Sequence, residues 1–128
     1  MSEENGSKLI NKLLELQNQM KLYHWQTKLY SRHLASDKFL NKAQNIIDNI
    51  IESYQGKYGV INMNENNKDI KLHNIKNDDI IDYLEIFREF LIKDYQKLIN
   101  KNTNTDLLNL RDELLSNLDI TIYLFHQK

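Results

Sequence analysis

The chain has no cysteine and no proline, and only three glycines and one tryptophan among its 128 residues. Without cysteine it has no disulfide, no thiolate nucleophile and no cysteine-based metal site. Without proline, and with so little glycine, little in the chain interrupts a helix from within, which favours long helices. An excess of one charge is also missing: 17 Lys and Arg stand against 18 Asp and Glu. A nearly neutral chain gives no general attraction to nucleic acid or to an anionic membrane. Lys8, Lys12, Lys21 and Lys28 are scattered rather than clustered, and no Lys-rich tail is present. No apolar run approaches the roughly 20 residues needed to span a bilayer. The opening MSEENGSK is polar and acidic, unlike a signal peptide, so the expected location is intracellular, in the cytoplasm. The length suits one domain over residues 1–128.

What is present is helical patterning. Leu9, Leu13, Leu16, Met20 and Tyr23 recur at alternating steps of four and three, which predicts a first helix over about 8–28 with Ser7 as its cap. Leu29 and Tyr30 form a short link and Ser31 caps a second helix, about 31–56, with Phe39, Ala43, Ile46, Ile50 and Tyr54 on its core face. Gly56 and Gly59 end it. Residues 60–77 are polar, Asn-rich and weakly patterned. They read as a loop with a short helix near Ile70–Ile75. A third helix, about 78–100, carries Ile80, Leu84, Phe87, Leu91, Tyr95 and Leu98. A fourth, about 105–126 and capped by Thr105, carries Leu107, Leu110, Leu114, Leu118, Ile122 and Phe125. Two short links and one long one describe an all-α antiparallel four-helix bundle with a longer crossover between its second and third helices.

The second helix has a chemical edge opposite its core face. At about 100° per residue, Asp37, Asp48 and Glu52 fall roughly 160–220° from Phe39, and His33 near 120°. His24, at the end of the first helix, lies about 40° from Met20. Acids on an outer helix face are ordinarily solvated. Here, however, Ile47 and Ile51 flank them and imidazoles accompany them. Imidazole with carboxylate suits divalent iron, and zinc or manganese as well. Asp37 and Asp48 are about 16 Å apart along a helix, too far for both to ligate one ion at about 2 Å. Two copies of the helix packed antiparallel about a two-fold axis near Lys42–Ala43 remove that obstacle. The His33/Asp37 end of one copy then meets the Asp48/Glu52 end of the other, giving two equivalent sites about 22 Å apart.

The segment His24-Trp25, His33, Asp37, Asp48 and Glu52 resembles the signature of the Dps-like mini-ferritins of the ferritin-like superfamily. The spacings after His33 match the family's, and three residues fewer separate His24 from His33. The resemblance implies a ferritin-like fold and a homodimer through the first two helices, with a larger cage as a further assembly. It also implies inter-subunit sites in which His24, His33 and Asp37 of one chain and Asp48 and Glu52 of its mate bind iron. Such sites oxidise Fe(II) with peroxide or oxygen, a ferroxidase activity tied to oxidative stress. The same segment is similar to short uncharacterised proteins of large DNA viruses. Trp25, off the core stripe, either shields the site or packs at the dimer interface. The family's basic tail and its extra helix in the crossover are missing, and no Glu-x-x-His for an intrasubunit centre occurs. These departures keep a second reading open, a catalytically inactive helical assembly or interaction protein. Nucleic-acid protection is a weaker third. His73 and His126 read as surface histidines, Tyr23 and Tyr54 as core, and Asp78 and Asp79 as residues of a helix N-terminus.

Overall fold

The computed structural model describes residues 3–127. Its elements are α1 (Glu3–Gln26), α2 (Tyr30–Tyr58), α3 (Ile80–Glu89) and α4 (Thr105–Phe125), with no strand among the described residues. After α3 the chain continues helically, as a wide π turn over Phe90–Asp94 and a tight 3-10 turn over Tyr95–Leu98. Among the described residues no helix is long and apolar enough to cross a membrane.

Hydrogen bonds and ion pairs between the helix ends give the directions. At one end of the bundle, Tyr23 of α1 donates to Asn77 Oδ1 before α3, and Arg32 of α2 donates to the Asn77 and Phe125 carbonyls. At the other end Lys57 of α2 pairs with Asp106 at the start of α4. So α1 runs opposite to α2, and α3 runs the same way as α2 because residues 59–79 travel the length of the bundle between them.

The apolar stripes meet in one core. Leu9, Leu13, Leu16, Met20 and Tyr23 of α1 are all buried, as are Phe39, Ala43, Ile50 and Tyr54 of α2. The stripe of the third helical segment, from Ile80 to Leu98, is buried throughout. In α2, Ile47 is buried while Ile46 is only partly so: the buried face is turned toward the acid edge relative to the wheel.

Five local expectations are corrected. Thr105 is the first residue of α4 and not its cap, a place Asn104 takes without a side-chain bond. The first helix begins at Glu3, and Ser7 lies inside it, buried, donating to the Asn62 carbonyl and accepting from Asn64 N–H. Its hydroxyl binds a segment more than fifty residues away instead of the helix start. The second helix begins at Tyr30 after Leu29 without a side-chain cap. There the Leu29 carbonyl takes the N–H groups of Arg32 and His33, so Ser31 has no capping task. No helix forms near residues 70–75. Finally, the third helix begins at Ile80 and its regular part ends at Glu89. Beyond it, Arg111 of α4 donates to the Leu91 carbonyl (3.0 Å) and Tyr95 donates to the Leu107 carbonyl (2.7 Å). The irregular turns thus exchange helix geometry for ties to α4 while keeping the stripe on the core.

The crossover is held extended along α1 by a ladder of side chains spaced along that helix. Above Ser7, Asn11 donates to the Asn67 and Asp69 carbonyls. Gln19 donates to the His73 carbonyl (2.6 Å) and accepts from the His73 N–H (3.0 Å). Tyr23 and Gln26 reach Asn77 and Asn74. Backbone groups that would pair within a helix or sheet are satisfied by amide and hydroxyl side chains instead.

Candidate metal centre

The turn at residues 27–29 brings the last turn of α1 against the first turn of α2, and with it His24 against His33. Their rings stack, with centroids 4.0 Å apart and planes 17° from parallel. The histidines are locked to each other's backbone. His24 Nδ1 lies 2.9 Å from the His33 carbonyl, and His33 Nδ1 lies 2.9 Å from the His24 carbonyl. A carbonyl can only accept, so each Nδ1 carries its proton. In each neutral ring the lone pair is then on Nε2. Metal-ligating imidazoles are characteristically oriented by such a bond from the other ring nitrogen.

Ser36, buried one turn along α2, donates to the His33 carbonyl and sits 3.0 Å from His24 Nδ1. Tyr30 stacks on the outer side of His33, at 6.4 Å. His24 is only 7% exposed. Its Nε2 stands 4.0 Å from Asp37 Oδ1, a carboxylate whose side chain is half exposed. Of the five predicted ligands, the chain brings His33 and Asp37 each beside His24, the one by ring stacking and the other at 4.0 Å.

Asp48 and Glu52 lie further along α2, exposed, and neither forms an ion pair among the described residues. Within one chain the described residues contain no group of three or more His, Asp or Glu placed to hold a metal ion together. His24, His33 and Asp37 therefore do not form a three-ligand group by themselves, and Asp48 and Glu52 stand apart from them along α2.

Trp25 is 67% exposed, and its ring partner is the Lys21 ammonium at 5.4 Å, not a histidine. Tyr23 and Tyr54 are core residues, and His73 and His126 are exposed. Sequence reasoning missed Ser36, Tyr30 and Arg32. Ser36 follows His33 by three residues, the spacing at which a helical serine can bond back to the carbonyl, and that was the available signal. Arg32 has no such signal. It sits beneath the Phe125 ring and bonds three groups from three elements.

Residues 24–125 match the model of a family of unknown function, DUF5856, and the chain belongs to that family. No curated protein and no solved structure matches it.

Proposed function

We propose that this family member is a ferritin-like, Dps-like iron-binding protein that oxidises Fe(II) with peroxide or oxygen at sites completed by a second copy of itself. The observation that carries this reading is the reciprocal histidine lock. It fixes both Nδ1–H groups on carbonyls and leaves the Nε2 lone pairs free for metal, with His24 Nε2 4.0 Å from Asp37 Oδ1. Four helices with one long crossover are also the connectivity of ferritin-like folds. The unbroken run of α2 from Tyr30 to Tyr58 makes the rod arithmetic apply. In an antiparallel pair, His33 meets Glu52 of the second copy and Asp37 meets its Asp48. The outward apolar residues Leu14, Leu34 and Trp25 on α1 and α2 would then be covered.

The ring geometry limits the stoichiometry. An imidazole binds a metal in its own plane at about 2.0–2.1 Å. Two nearly parallel planes with centroids 4.0 Å apart do not converge on one ion, so each imidazole takes its own Fe(II). The residues that would hold the two substrate ions are His24, His33 and Asp37 of one copy with Asp48 and Glu52 of the other. Carboxylate oxygens favour the ferric product, and peroxide accepts one electron from each of the two ions. Because metal must compete with protons for imidazole, binding weakens in acid.

Anaerobic Fe(II) titration of the apo protein, then a peroxide pulse read at the Fe(III)-oxo absorbance, tests this. The expected result is saturable binding near two irons per chain and fast oxidation that is lost in Asp48→Ala. Binding no better than in a control helical bundle would sink the reading. Without metal the acids repel each other across the interface, so Asp48→Ala with Glu52→Ala raises the apo melting temperature. The alternative, an assembly protein without turnover, draws on the lack of a three-ligand cluster among the described residues of one chain. It predicts an unchanged dimer and no oxidation in either protein.

A further inference from the structure

Beside the histidine turn lies a cleft of about 440 Å³ lined by Gln26, Thr27, Lys28, Asn74, Ile75, Lys76 and Asn77. That is within the range of small-molecule sites, about 300–1,000 Å³. No carboxylate lines it, although Asp78 and Asp79 follow in the next turn. Its two lysines come from segments far apart in sequence, and neither forms an ion pair among the described residues.

The amide of Asn77 has its polarity fixed by a chain of donors. Arg32, which can only donate, bonds the Tyr23 hydroxyl (3.2 Å), so that hydroxyl passes its proton to Asn77 Oδ1 (2.7 Å). The Leu29 N–H bonds Thr27 Oγ1, so Thr27 too donates to Asn77 Oδ1, at 2.8 Å. With its oxygen accepting twice, Asn77 offers only Nδ2. Asn74 Oδ1 is likewise engaged, by Gln26 Nε2 at 2.9 Å, which leaves Asn74 Nδ2. Two ammonium groups and two amide NH₂ groups thus share one cleft, with Gln26 Oε1 as the side-chain amide oxygen left to accept.

We propose that this cleft binds a small phosphate-bearing anion, held by the Lys28 and Lys76 ammonium groups and the Asn74 and Asn77 amide donors. The proposal stands independently of the iron reading, since no metal ligand takes part. Charge-assisted bonds to phosphate oxygens supply the affinity, and the preset amide of Asn77 supplies direction.

The test is calorimetric titration of the full chain, metal-free, with pyrophosphate, inorganic phosphate and sulfate at about 0.15 M salt, where exposed charges are screened beyond about 8 Å. Amide NMR shifts would be followed on the same samples. Saturable binding of one pyrophosphate per chain is expected, tighter than phosphate or sulfate, with shifts confined to residues 26–28 and 74–77. Lys28→Gln with Lys76→Gln should weaken it by about tenfold or more, the scale of a lost charged hydrogen bond, while Lys97→Gln with Lys101→Gln leaves it unchanged. Equal weakening by both pairs, or shifts spread over the lysines of the surface, would overturn the proposal. So would wild-type binding no tighter than that of the first variant. Both variants replace exposed side chains, and matched thermal melts separate lost binding from lost fold.

Discussion

The turn at residues 27–29 and the crossover at 59–79 both join helices of one bundle, yet they are held by different means. The turn is closed by its own neighbours: two histidines nine residues apart exchange ring N–H bonds with each other's carbonyls. The crossover is held by α1, whose Ser7, Asn11 and Gln19 bond backbone groups 54 to 58 residues away. A local lock costs little chain entropy and places a few atoms accurately, which suits a ligand site. A distributed ladder spreads the same kind of bond over the length of a helix. It orders a long segment without fixing any single atom for chemistry.

If that contrast is right, removing one group from the lock costs more than removing one rung of the ladder. His24→Ala loses a nearly buried ring, its Nδ1–H bond and its stack on His33. The expected loss of stability is about 2–4 kcal/mol, combining a cavity with a lost buried hydrogen bond. Urea unfolding would measure it. The partly buried His33 should cost less on the same substitution. A His24→Ala loss no larger than that of His33→Ala would mean the lock is decorative.

Gln19→Ala is the corresponding cut to the ladder. It removes two bonds to His73 and part of a fully buried side chain, but His73 itself is exposed and its freed backbone groups can regain water. About 1–2 kcal/mol is expected, with faster amide exchange concentrated around His73 and iron binding untouched. Exchange that accelerates along the whole crossover would show that the rungs act as one unit.

Glycine gives a finer comparison. A Cβ at Gly6 would meet both Cγ atoms of Ile61 at 3.1 Å and Tyr54 at 3.3 Å, whereas a Cβ at Gly56 meets nothing within 4 Å. Both glycines are helical, where alanine is favoured by up to about 1 kcal/mol. Gly56→Ala should therefore stabilise by about 0.4–1 kcal/mol. Gly6→Ala should destabilise by about 1 kcal/mol, because a β-branched neighbour cannot rotate both Cγ atoms away. A stabilising Gly6→Ala would mean that the start of the crossover yields easily.

These regions also differ in how far the sequence revealed them. The apolar stripes announced four helices because a repeat of 3.6 is a local signal, and every α1 stripe residue is buried. His24, His33 and Asp37 were legible as a group because their spacing is short. Their lock was not, since it depends on the φ and ψ of a three-residue turn. The ladder left no trace that local reasoning reads. Ser7 looked like a helix cap because serine at a helix start usually is one, and its partner lies 55 residues on. The break after Glu89 was hidden for the same reason: its ties are to Arg111 and Leu107 on another helix.

A third kind of tie, charge, joins the end of α2 to the start of α4 and should contribute least. Lys57 Nζ lies 2.9 Å from Asp106 Oδ2, with the aspartate side chain about half exposed. The hydrogen bond from Lys57 is the largest influence holding the Asp106 carboxyl below the usual carboxylate range, and backbone N–H groups add to it. A carboxyl whose folded pKa is depressed stabilises the fold above its unfolded pKa. That contribution fades as pH falls through the ordinary carboxylate range toward the lower folded value. Solvent screening keeps it on the order of 0.5 kcal/mol or less. Asp106→Asn should therefore be slightly less stable than wild type at neutral pH, and the difference should close in acid and in high salt. A deficit that persists in acid would instead assign Asp106 an uncharged role at the start of α4, where Leu107 supplies a backbone N–H to its side chain.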